Sequence, residues 1–447
     1  MERIPVNLDA LALASWPATR PDPVARLQEQ ERTRLQWLLP VRHSRMAQSP
    51  FAFFRGAPVL MADDLGRLPH SGLEVQLCGD AHLLNFGFYG SPERALLFDL
   101  NDFDETVRGP FEWDLKRLAS SMVVAAAELG LSVAWQERLA RRCARSYRRW
   151  IERLVRQNRL EVWQRHIDID AYLKEVDHRP FLRHLEAVTQ RARHRDSLQA
   201  VSKLCVRQSD GELRIRHDPP LIWRHAEMDP EPGALPLQQR VRDAYRTYLE
   251  TVRPEIRRFL SGYQLVDTAS KAVGVGSVGT RCSIGLLVGE RPDDLLVLQS
   301  KQAEHSVLEP HATSAPPSHQ GQRVVEGQRL MQTVSDPFLG WTTNAHGEHL
   351  YWRHFRDWKG SVEISELDAE GLLAYGRLCT LALAKAHARS GDAIAIATTM
   401  GEGRRFDEVI AGFAVAYGER SDLDYRLFRR ALQDGRLQRA PDSPPTV

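Results

Sequence analysis

Short apolar runs that end in acidic residues mark the first part of this chain. Residues 74–80 (EVQLCGD) and 95–100 (ALLFDL) are apolar for a few positions and are bounded by Gly, Pro or Asp, which is typical of β-strands. The spacing then changes. Residues 109–130 begin with Gly-Pro and carry apolar side chains three and four positions apart, which predicts a helix. A second amphipathic helix is predicted at about 132–160.

The remaining segments alternate between helical and extended patterns. Residues 22–48 are predicted to be helical up to Pro40, and 49–58 (SPFAFFRGAP) to break the helix. Further on, we predict mainly helix over 166–262, a β-hairpin over 272–301, a Pro/Ser-rich loop at 310–321, a helix at 322–333, a strand at 349–355 and helices from about 367.

This pattern predicts an α+β fold with two lobes, rich in helices and with a small antiparallel sheet. We expect three segments. Residues 1–262 would form a helical part that carries the acidic turns, 263–365 a sheet part, and 366–447 a helical part that packs on the first.

The composition indicates the class of protein and the cellular compartment to expect. The 447 residues are 43% hydrophobic and 26% charged, with a formal net charge of +2, as in ordinary globular proteins. Five scattered cysteines without a CxxC pair favour a reducing compartment over a disulfide framework. The first residues lack a secretion-signal pattern, and no apolar run has membrane-spanning length. We therefore expect a cytoplasmic protein of bacterial type without a membrane partner.

Oxygen-bearing side chains gather where the two early strands end. Asp80 and Asn85 lie five residues apart in one turn, the spacing at which kinase-like phosphotransferases place a base and a metal ligand. A second aspartate after the next strand would supply the main metal ligand. Asp102 is the first choice, Asp104 the second and Asp99 the third. The cluster therefore predicts a Mg²⁺-assisted transfer site.

A glycine loop later in the chain supplies a possible phosphate clamp. Gly274, Gly276 and Gly279 form G-x-G-x-x-G, which on its own is a weak signal. Here a hairpin follows rather than a helix, and its second strand ends at Lys301. Kinases cover the phosphates of ATP in this way and pair the lysine with a helix glutamate, for which we predict Glu326.

Other interpretations remain open. Asp80, His82 and Asp102 could bind a transition metal in a hydrolase, or the acidic residues could simply cap strands. A non-catalytic nucleotide sensor would keep the binding residues without turnover. Nine arginines between Arg138 and Arg159 could bind nucleic acid. The arginines of an amphipathic helix are also commonly exposed to solvent and paired with acids elsewhere, so we do not expect a nucleic-acid partner.

The acidic segment resembles a known catalytic loop. CGDAHLLNF is similar to the HGDxHxxN loop of aminoglycoside-phosphotransferase-like and choline-kinase-like enzymes, with Cys78 in place of its first histidine. This resemblance implies that Asp80 and His82 are the catalytic candidates and that Asp114 braces the loop. The glycine loop follows the catalytic loop here instead of preceding it, so the resemblance implies a circularly permuted kinase-like fold.

Longer blocks resemble one bacterial family. SPFAFFRGAP, CGDAHLLNFG, FDLNDFDET, FEWDLKRLASS, VGVGSVGTR, GQRVVEGQRLMQ and LAKAHARSGD are similar to the signature blocks of the domain of unknown function 2252 family. The likeness spans about residues 30–430 and implies the kind of protein, not its activity. Residues in or beside these blocks include Arg55, Arg281, Arg353, Lys359 and His387.

Together these features predict an ATP- and Mg²⁺-dependent phosphotransferase or nucleotidyltransferase. Asn85, Asp102 and Asp104 would hold the metal, and Lys301 would hold phosphates under the glycine loop. The acceptor is a small molecule or a protein, and the sequence fixes neither the acceptor nor the oligomeric state.

Overall fold

The computed structural model describes residues 8–13, 15–16, 19–174, 176–194, 197–219, 221–228, 235–271, 278–291, 293–355 and 358–440. The α-helices are α1 Pro23–Gln30, α2 Leu39–Met46, α3 Pro50–Gly56, α4 Pro58–Leu65, α5 Phe111–Glu128, α6 Val133–Leu154, α7 Arg159–Gln164, α8 Ile169–Leu173, α9 Arg179–Arg193, α10 Ser197–Leu204, α11 Leu237–Tyr248, α12 Pro254–Leu260, α13 Gln320–Met331, α14 Ala369–Ser390, α15 Ala393–Met400 and α16 Arg405–Gln433. The strands are β1 Glu74–Leu77, β2 Phe86–Gly90, β3 Leu96–Leu100, β4 Val107–Pro110, β5 Cys205–Arg207, β6 Leu213–Ile215, β7 Ile222–Arg224, β8 Gln264–Lys271, β9 Cys282–Val288, β10 Leu295–Gln302, β11 Gly340–Thr343 and β12 His349–His354.

The segment predicted to break the helix, 49–58, is helical instead. Ser49 caps α3 by accepting the N–H of Ala52 at 3.1 Å, and Pro50 occupies its first turn. Pro58 opens α4 in the same way. Proline is favourable at this position because the first-turn N–H groups have no partner within the helix. The prediction failed because we took these prolines as helix breakers rather than as helix starts.

Most helices of the N- and C-terminal segments share one hydrophobic core. Helices α5, α6, α14 and α16 pack against one another, and their buried side chains join those of α3, α4 and strands β1–β4. The two long helices predicted at 109–130 and about 132–160 are present as α5 and α6. This core fixes the positions of the short β1–β4 and β2–β3 pairs whose ends carry the acidic residues.

An antiparallel sheet forms the second main part, with strand order β11-β12-β10-β9-β8-β7. Within it, Lys301 of β10 lies opposite Cys282 of β9 and Tyr351 of β12. Directly opposite residues project on one face of a sheet, so these three side chains share a face. The hairpin predicted over 272–301 is present as β9 and β10, while Gly274 and Gly276 lie outside the described residues.

Helices cover both faces of this sheet. Residues of α11 and α12 pack with Leu298 and Trp352 on one face, whereas α10 packs with Val297 and Phe355 on the other. Because α11, α12 and β7 precede residue 263, the packed sheet unit begins earlier in the chain than the segment predicted from sequence.

Two structural findings concern the state of the cysteines and the search for a membrane-spanning helix. The five cysteines are buried and form no disulfide in the described part of the chain. Over the same residues, no helix combines the length and the apolar character that crossing a bilayer requires.

Candidate functional site

A cavity of about 580 Å³ lies where the helical part meets the sheet. We call it the aspartate cavity, and its lining includes Asp80, Asn85, Asp102, Asp104 and Glu105 from the helical part and Thr280, Gln302 and Glu348 from the sheet part. The structure thus brings the acidic turns and the sheet together, although about 200 residues separate them in the chain.

The loop that carries Asp80 is held by Asp114 of α5. Its carboxylate accepts the backbone N–H groups of Cys78 at 2.8 Å and Gly79 at 3.0 Å. The carboxylate also lies 3.3 Å from Nε2 of His387, whose Nδ1 is 2.8 Å from the Tyr147 hydroxyl. Hydrogen bonds to a carboxylate are stronger than bonds between neutral groups, so this buried network holds the backbone of the Asp80 loop in place.

Asp80 has a charged partner that the sequence analysis missed. Nε of Arg117 donates to Oδ1 of Asp80 at 2.8 Å, and the same guanidinium donates to the carbonyl of Phe54 at 2.7 Å. Burial raises the pKa of Asp80 from its ordinary value, and nearby Asp102 adds to this rise, while Arg117 opposes it. Arg117 lies three residues after Asp114 on α5, so helical spacing from the predicted brace was a signal for it.

The ring of His82 contacts the backbone of its own loop and lies near Asp80. Its Nδ1 accepts the N–H of Leu84 at 3.1 Å, and its Nε2 lies 3.6 Å from Oδ2 of Asp80. Burial and the neighbouring guanidinium groups of Arg55 and Arg117 hold the pKa of His82 well below its ordinary value. The ring is therefore neutral with its proton on Nε2, directed at Asp80.

Asn85 and Asp102 contribute oxygen atoms to the cavity lining. The side-chain N–H of Asn85 donates to the backbone carbonyl of Asp80 at 2.6 Å, which leaves its carboxamide oxygen for a ligand. Oδ1 of Asp102 accepts the N–H of Asp104 at 3.3 Å. Asp99, the third choice for a metal ligand, is buried and paired with Lys385 of α14. Of the three aspartates considered as metal ligands after β2, Asp102 and Asp104 therefore line the cavity, and Asp99 does not.

Lys301 crosses from the sheet to the acidic loop and pairs with Asp104. The other oxygen of Asp104 accepts the Tyr351 hydroxyl at 2.7 Å. Burial alone would lower the pKa of Lys301 and raise that of Asp104, but the attraction between the two charges outweighs it in both groups. The pair is therefore ionised, and it joins the sheet to the loop that follows β3.

The predicted partner of Lys301, Glu326, does not contact it. Glu326 lies on the exposed side of α13, where its Oε1 accepts from Gln322 at 2.7 Å. Arg323 of the same helix faces the site instead and donates to the backbone carbonyls of Asp104 at 2.9 Å and Thr106 at 2.6 Å. Helix α13 thus supports the acidic loop with a cation, and the anionic partner of Lys301 comes from the loop itself.

The one predicted loop glycine that the structure describes, Gly279, has a left-handed backbone with φ +93°. Its carbonyl accepts the N–H of Leu35 at 2.8 Å, and the Arg34 guanidinium donates to the carbonyl of Val278 at 2.7 Å. Leu35 and Arg34 precede α2, so the end of the glycine loop rests on the N-terminal segment at the edge of the aspartate cavity.

Two further arginines border the acidic groups. Nε of Arg353 donates to Gln299 at 2.9 Å, and the carboxylates of Asp102 and Asp104 contribute to its raised pKa, against the effect of burial. Arg55 lies near Asp80 and Asp102, and its buried Nε has no hydrogen-bond partner among the described residues. Arg281, in contrast, pairs with Glu348 at 2.6 Å.

Glu105 should titrate near neutral pH. Burial raises its pKa to about 7, and Asp104 and Asp80 contribute, against the Val307 N–H that it accepts at 2.7 Å. Folding then favours the protonated form, so this contribution to stability is full below pH 4.5 and is lost as pH rises through about 7.

Glu105→Gln keeps the acceptor without the charge. It should raise the free energy of unfolding at pH 8 by about 1–2 kcal/mol, discounted for partial exposure, and change it little at pH 4.

Urea unfolding at both pH values measures this effect. Glu326→Gln on the exposed side of α13 is the matched control and should change stability little at either pH. An equal change at pH 4 and pH 8 for Glu105→Gln would contradict the assignment.

In the described part of the chain, no three His, Cys, Asp or Glu side chains are arranged as a preformed metal site. Asp80, His82 and Asp102, the set considered for a transition-metal hydrolase, are not arranged in this way, and Nδ1 of His82 already accepts the N–H of Leu84. Hard oxygen donors such as Asp102 and Asn85 fit Mg²⁺, which proteins hold through one or two carboxylates while phosphates and water fill the remaining positions.

Comparisons with known proteins identify the family. Neither a curated protein nor a solved structure matches the chain. A family model described as "Uncharacterized protein conserved in bacteria (DUF2252)" matches residues 34–431, which is most of the sequence. The chain therefore belongs to the DUF2252 family.

Proposed function

We propose that this chain is an ATP- and Mg²⁺-dependent transferase whose site is kinase-like in its parts. The observation that carries the proposal is the Lys301–Asp104 pair, because Asp104 lines the same cavity as Asp80, Asn85 and Asp102. Kinases use the same set: a lysine on a sheet strand, a metal-binding aspartate after a strand, and an aspartate and an asparagine in a catalytic loop.

The order of elements supports a permuted kinase-like arrangement. Lys301 lies on β10, the third strand of the run β8–β9–β10, and helix α13 follows that strand, as helix αC follows the lysine strand in kinases. The end of α14 lies beside the start of β1, where Oγ of Ser390 accepts the N–H of Gln76 at 3.1 Å. Helix α14 thus ends beside the strand that precedes the loop of Asp80.

The residues take distinct roles in this proposal. Asp102 and the carboxamide oxygen of Asn85 would hold Mg²⁺, which when bound neutralises the phosphates of ATP. Lys301 would bind phosphate oxygens while Asp104 keeps it extended, in the place of the helix glutamate predicted from sequence. Asp80, which accepts a hydrogen bond from Arg117, would orient the acceptor hydroxyl and accept its proton.

A nucleotide-binding protein without turnover is the second candidate. It is favoured by the direct contact between Arg117 and Asp80, because a carboxylate oxygen held at 2.8 Å by a guanidinium is less available to an acceptor hydroxyl. The two candidates share the nucleotide site and differ only in transfer.

Thermal unfolding with and without MgATP tests the nucleotide binding that both candidates share. At a hundredfold excess over Kd, ATP with Mg²⁺ should stabilise the wild type by roughly 2.7 kcal/mol. Asp102→Asn should abolish the dependence on Mg²⁺, and the charge-neutral pair Lys301→Met with Asp104→Asn should abolish the shift. The matched control is Lys385→Met with Asp99→Asn, a second Lys–Asp pair away from the cavity, which should keep the shift.

Asp80→Asn then separates the two candidates. In a transferase, it should keep the ATP-induced shift while basal turnover of γ- or α-labelled ATP is lost. Equal basal turnover in wild type and Asp80→Asn would favour the non-catalytic binder. Absence of any MgATP shift in the wild type would remove both.

A further inference from the structure

The strongest feature outside the aspartate cavity is a basic surface on α6. A groove of about 320 Å³ is lined by Arg142, Arg145, Arg149, Arg153 and Arg377, together with Ser146, Trp150 and Tyr172, and by no carboxylate. We call it the arginine groove. Five positive charges in one small groove without a counter-charge repel one another, so an anion bound there would relieve the repulsion.

These arginines have no ion-pair partner among the described residues, in contrast to their neighbours on α6. Arg148 is paired with Asp407 at 2.9 Å, and Arg138 with Glu370 at 3.2 Å. Burial and then the neighbouring guanidinium groups lower the pKa of Arg142 from its ordinary value. The sequence explanation, that the arginines are paired with acids elsewhere, therefore holds for Arg148 and Arg138 but not for the groove.

The arginine groove borders a larger cavity of mixed charge. Arg142, Arg145 and Arg149 also line this cavity of about 1050 Å³ between α6 and the start of α16, together with carboxylates that include Glu152, Asp407 and Glu408. Positions three and four apart lie on one face of a helix, so these side chains follow one another at about one per turn, roughly 5.4 Å. Within the arginine groove, which no carboxylate lines, a row of arginines of this length fits an extended polyanion better than a single phosphate group.

Aromatic rings lie in the same groove. Trp150 and Tyr172 line it, and the Arg153 guanidinium stands 4.8 Å from the centre of the Trp150 ring. Proteins that bind single-stranded nucleic acid combine a basic groove along the phosphates with aromatic and arginine planes on which bases stack. An acidic peptide would use the charges but not these planes.

We propose that the arginine groove binds a single-stranded nucleic acid, with Arg142, Arg145 and Arg149 on its phosphates and Trp150 against a base. The surface is separate from the aspartate cavity, and the proposal does not depend on the activity proposed for that cavity. The arginines of α6 alone did not favour this partner in the sequence analysis, because two groove residues lie outside that helix: Tyr172 lies beyond α6 and Arg377 comes from α14.

The test is fluorescence anisotropy of the full chain with labelled oligothymidylate and oligouridylate of about 20 nucleotides, longer than common single-strand sites. We expect binding that weakens steeply with salt. Arg142→Gln with Arg149→Gln should weaken it at least about tenfold at low salt and reduce the salt slope by about 1.4, or 0.7 for each lost phosphate contact. The matched control is Arg246→Gln with Arg426→Gln, two arginines that are both 73% exposed elsewhere, and it should change neither.

Variants at Trp150 test the base contact. Trp150→Leu should weaken binding of the oligonucleotide about fivefold or more, whereas Trp150→Phe should retain most of it. Inorganic polyphosphate and polyglutamate serve as probes without bases. Absence of oligonucleotide binding at low salt, equal losses in the groove variant and the control, or tighter binding of either probe than of the oligonucleotide would each overturn the proposal.

Discussion

Replacing Asp104 with alanine is expected to lower the free energy of unfolding by about 3–5 kcal/mol, because the substitution leaves the ammonium group of Lys301 buried without its carboxylate. The side chain of Lys301 is 3% exposed, and its interaction with Asp104 keeps it charged at that depth. The Tyr351 hydroxyl would lose its acceptor in the same variant. Urea unfolding at neutral pH measures the loss.

Removal of the other partner should cost less. In Lys301→Met, Asp104 keeps the Tyr351 hydroxyl as a donor, and its side chain is 28% exposed, so water can reach the carboxylate. We expect a loss of about 2–3 kcal/mol. The double variant should be more stable than Asp104→Ala alone, since no unpaired ammonium remains. Equal losses for the two single variants would contradict the expected asymmetry, and losses that add in the double variant would show that the pair is not coupled.

Gly79→Ala should be among the most damaging substitutions in the chain. Gly79 has φ +85°, and a Cβ placed there would lie 2.0 Å from the carbonyl oxygen of Glu105. The obstacle is backbone rather than a flexible side chain, so the loop that carries Asp80 and the loop that carries Asp104 must move apart. We expect a loss of more than about 4 kcal/mol or failure to fold.

The size of this effect can be measured against a glycine in open space. Gly72 also has a left-handed backbone, with φ +69°, but nothing lies within 4 Å of its would-be Cβ. Gly72→Ala therefore reports backbone strain alone, about 1–2 kcal/mol. If Gly79→Ala unfolds at the same urea concentration as Gly72→Ala, the two loops do not meet as the structure has them.

Local features of the site could be predicted from sequence because neighbouring residues determine them. The turn of Asp80 and Asn85 lies between two short strands, and the strand that ends near Lys301 follows from its apolar run. The brace at Asp114 followed from the resemblance, and its carboxylate does accept the loop amides. Each of these features depends on spacing within about thirty-five residues of chain.

The partner of Lys301 could not be predicted by sequence distance. Glu326 was chosen because it lies on the helix that follows the lysine strand. The number of residues between Lys301 and Glu326 does not determine which face of that helix turns toward Lys301. The buried positions of α13 include Val324, Gln328 and Met331. A helical-wheel comparison with these positions would have placed Glu326 on the opposite face. The pairing of Asp104 with Lys301 depends on packing between segments that are 197 residues apart.

The contact between the end of α14 and β1 affects folding during synthesis on the ribosome. The loop of Asp80 is completed by His387 and Ser390, which are translated 273 and 314 residues after their partners Asp114 and Gln76. At 5–20 residues per second, the early strands wait roughly 15–60 s for these helix residues to emerge. During that interval β1 and the apolar faces of α5 and α6 lack the C-terminal helices that cover them in the folded chain, so we expect the nascent chain to be prone to aggregation until those helices arrive.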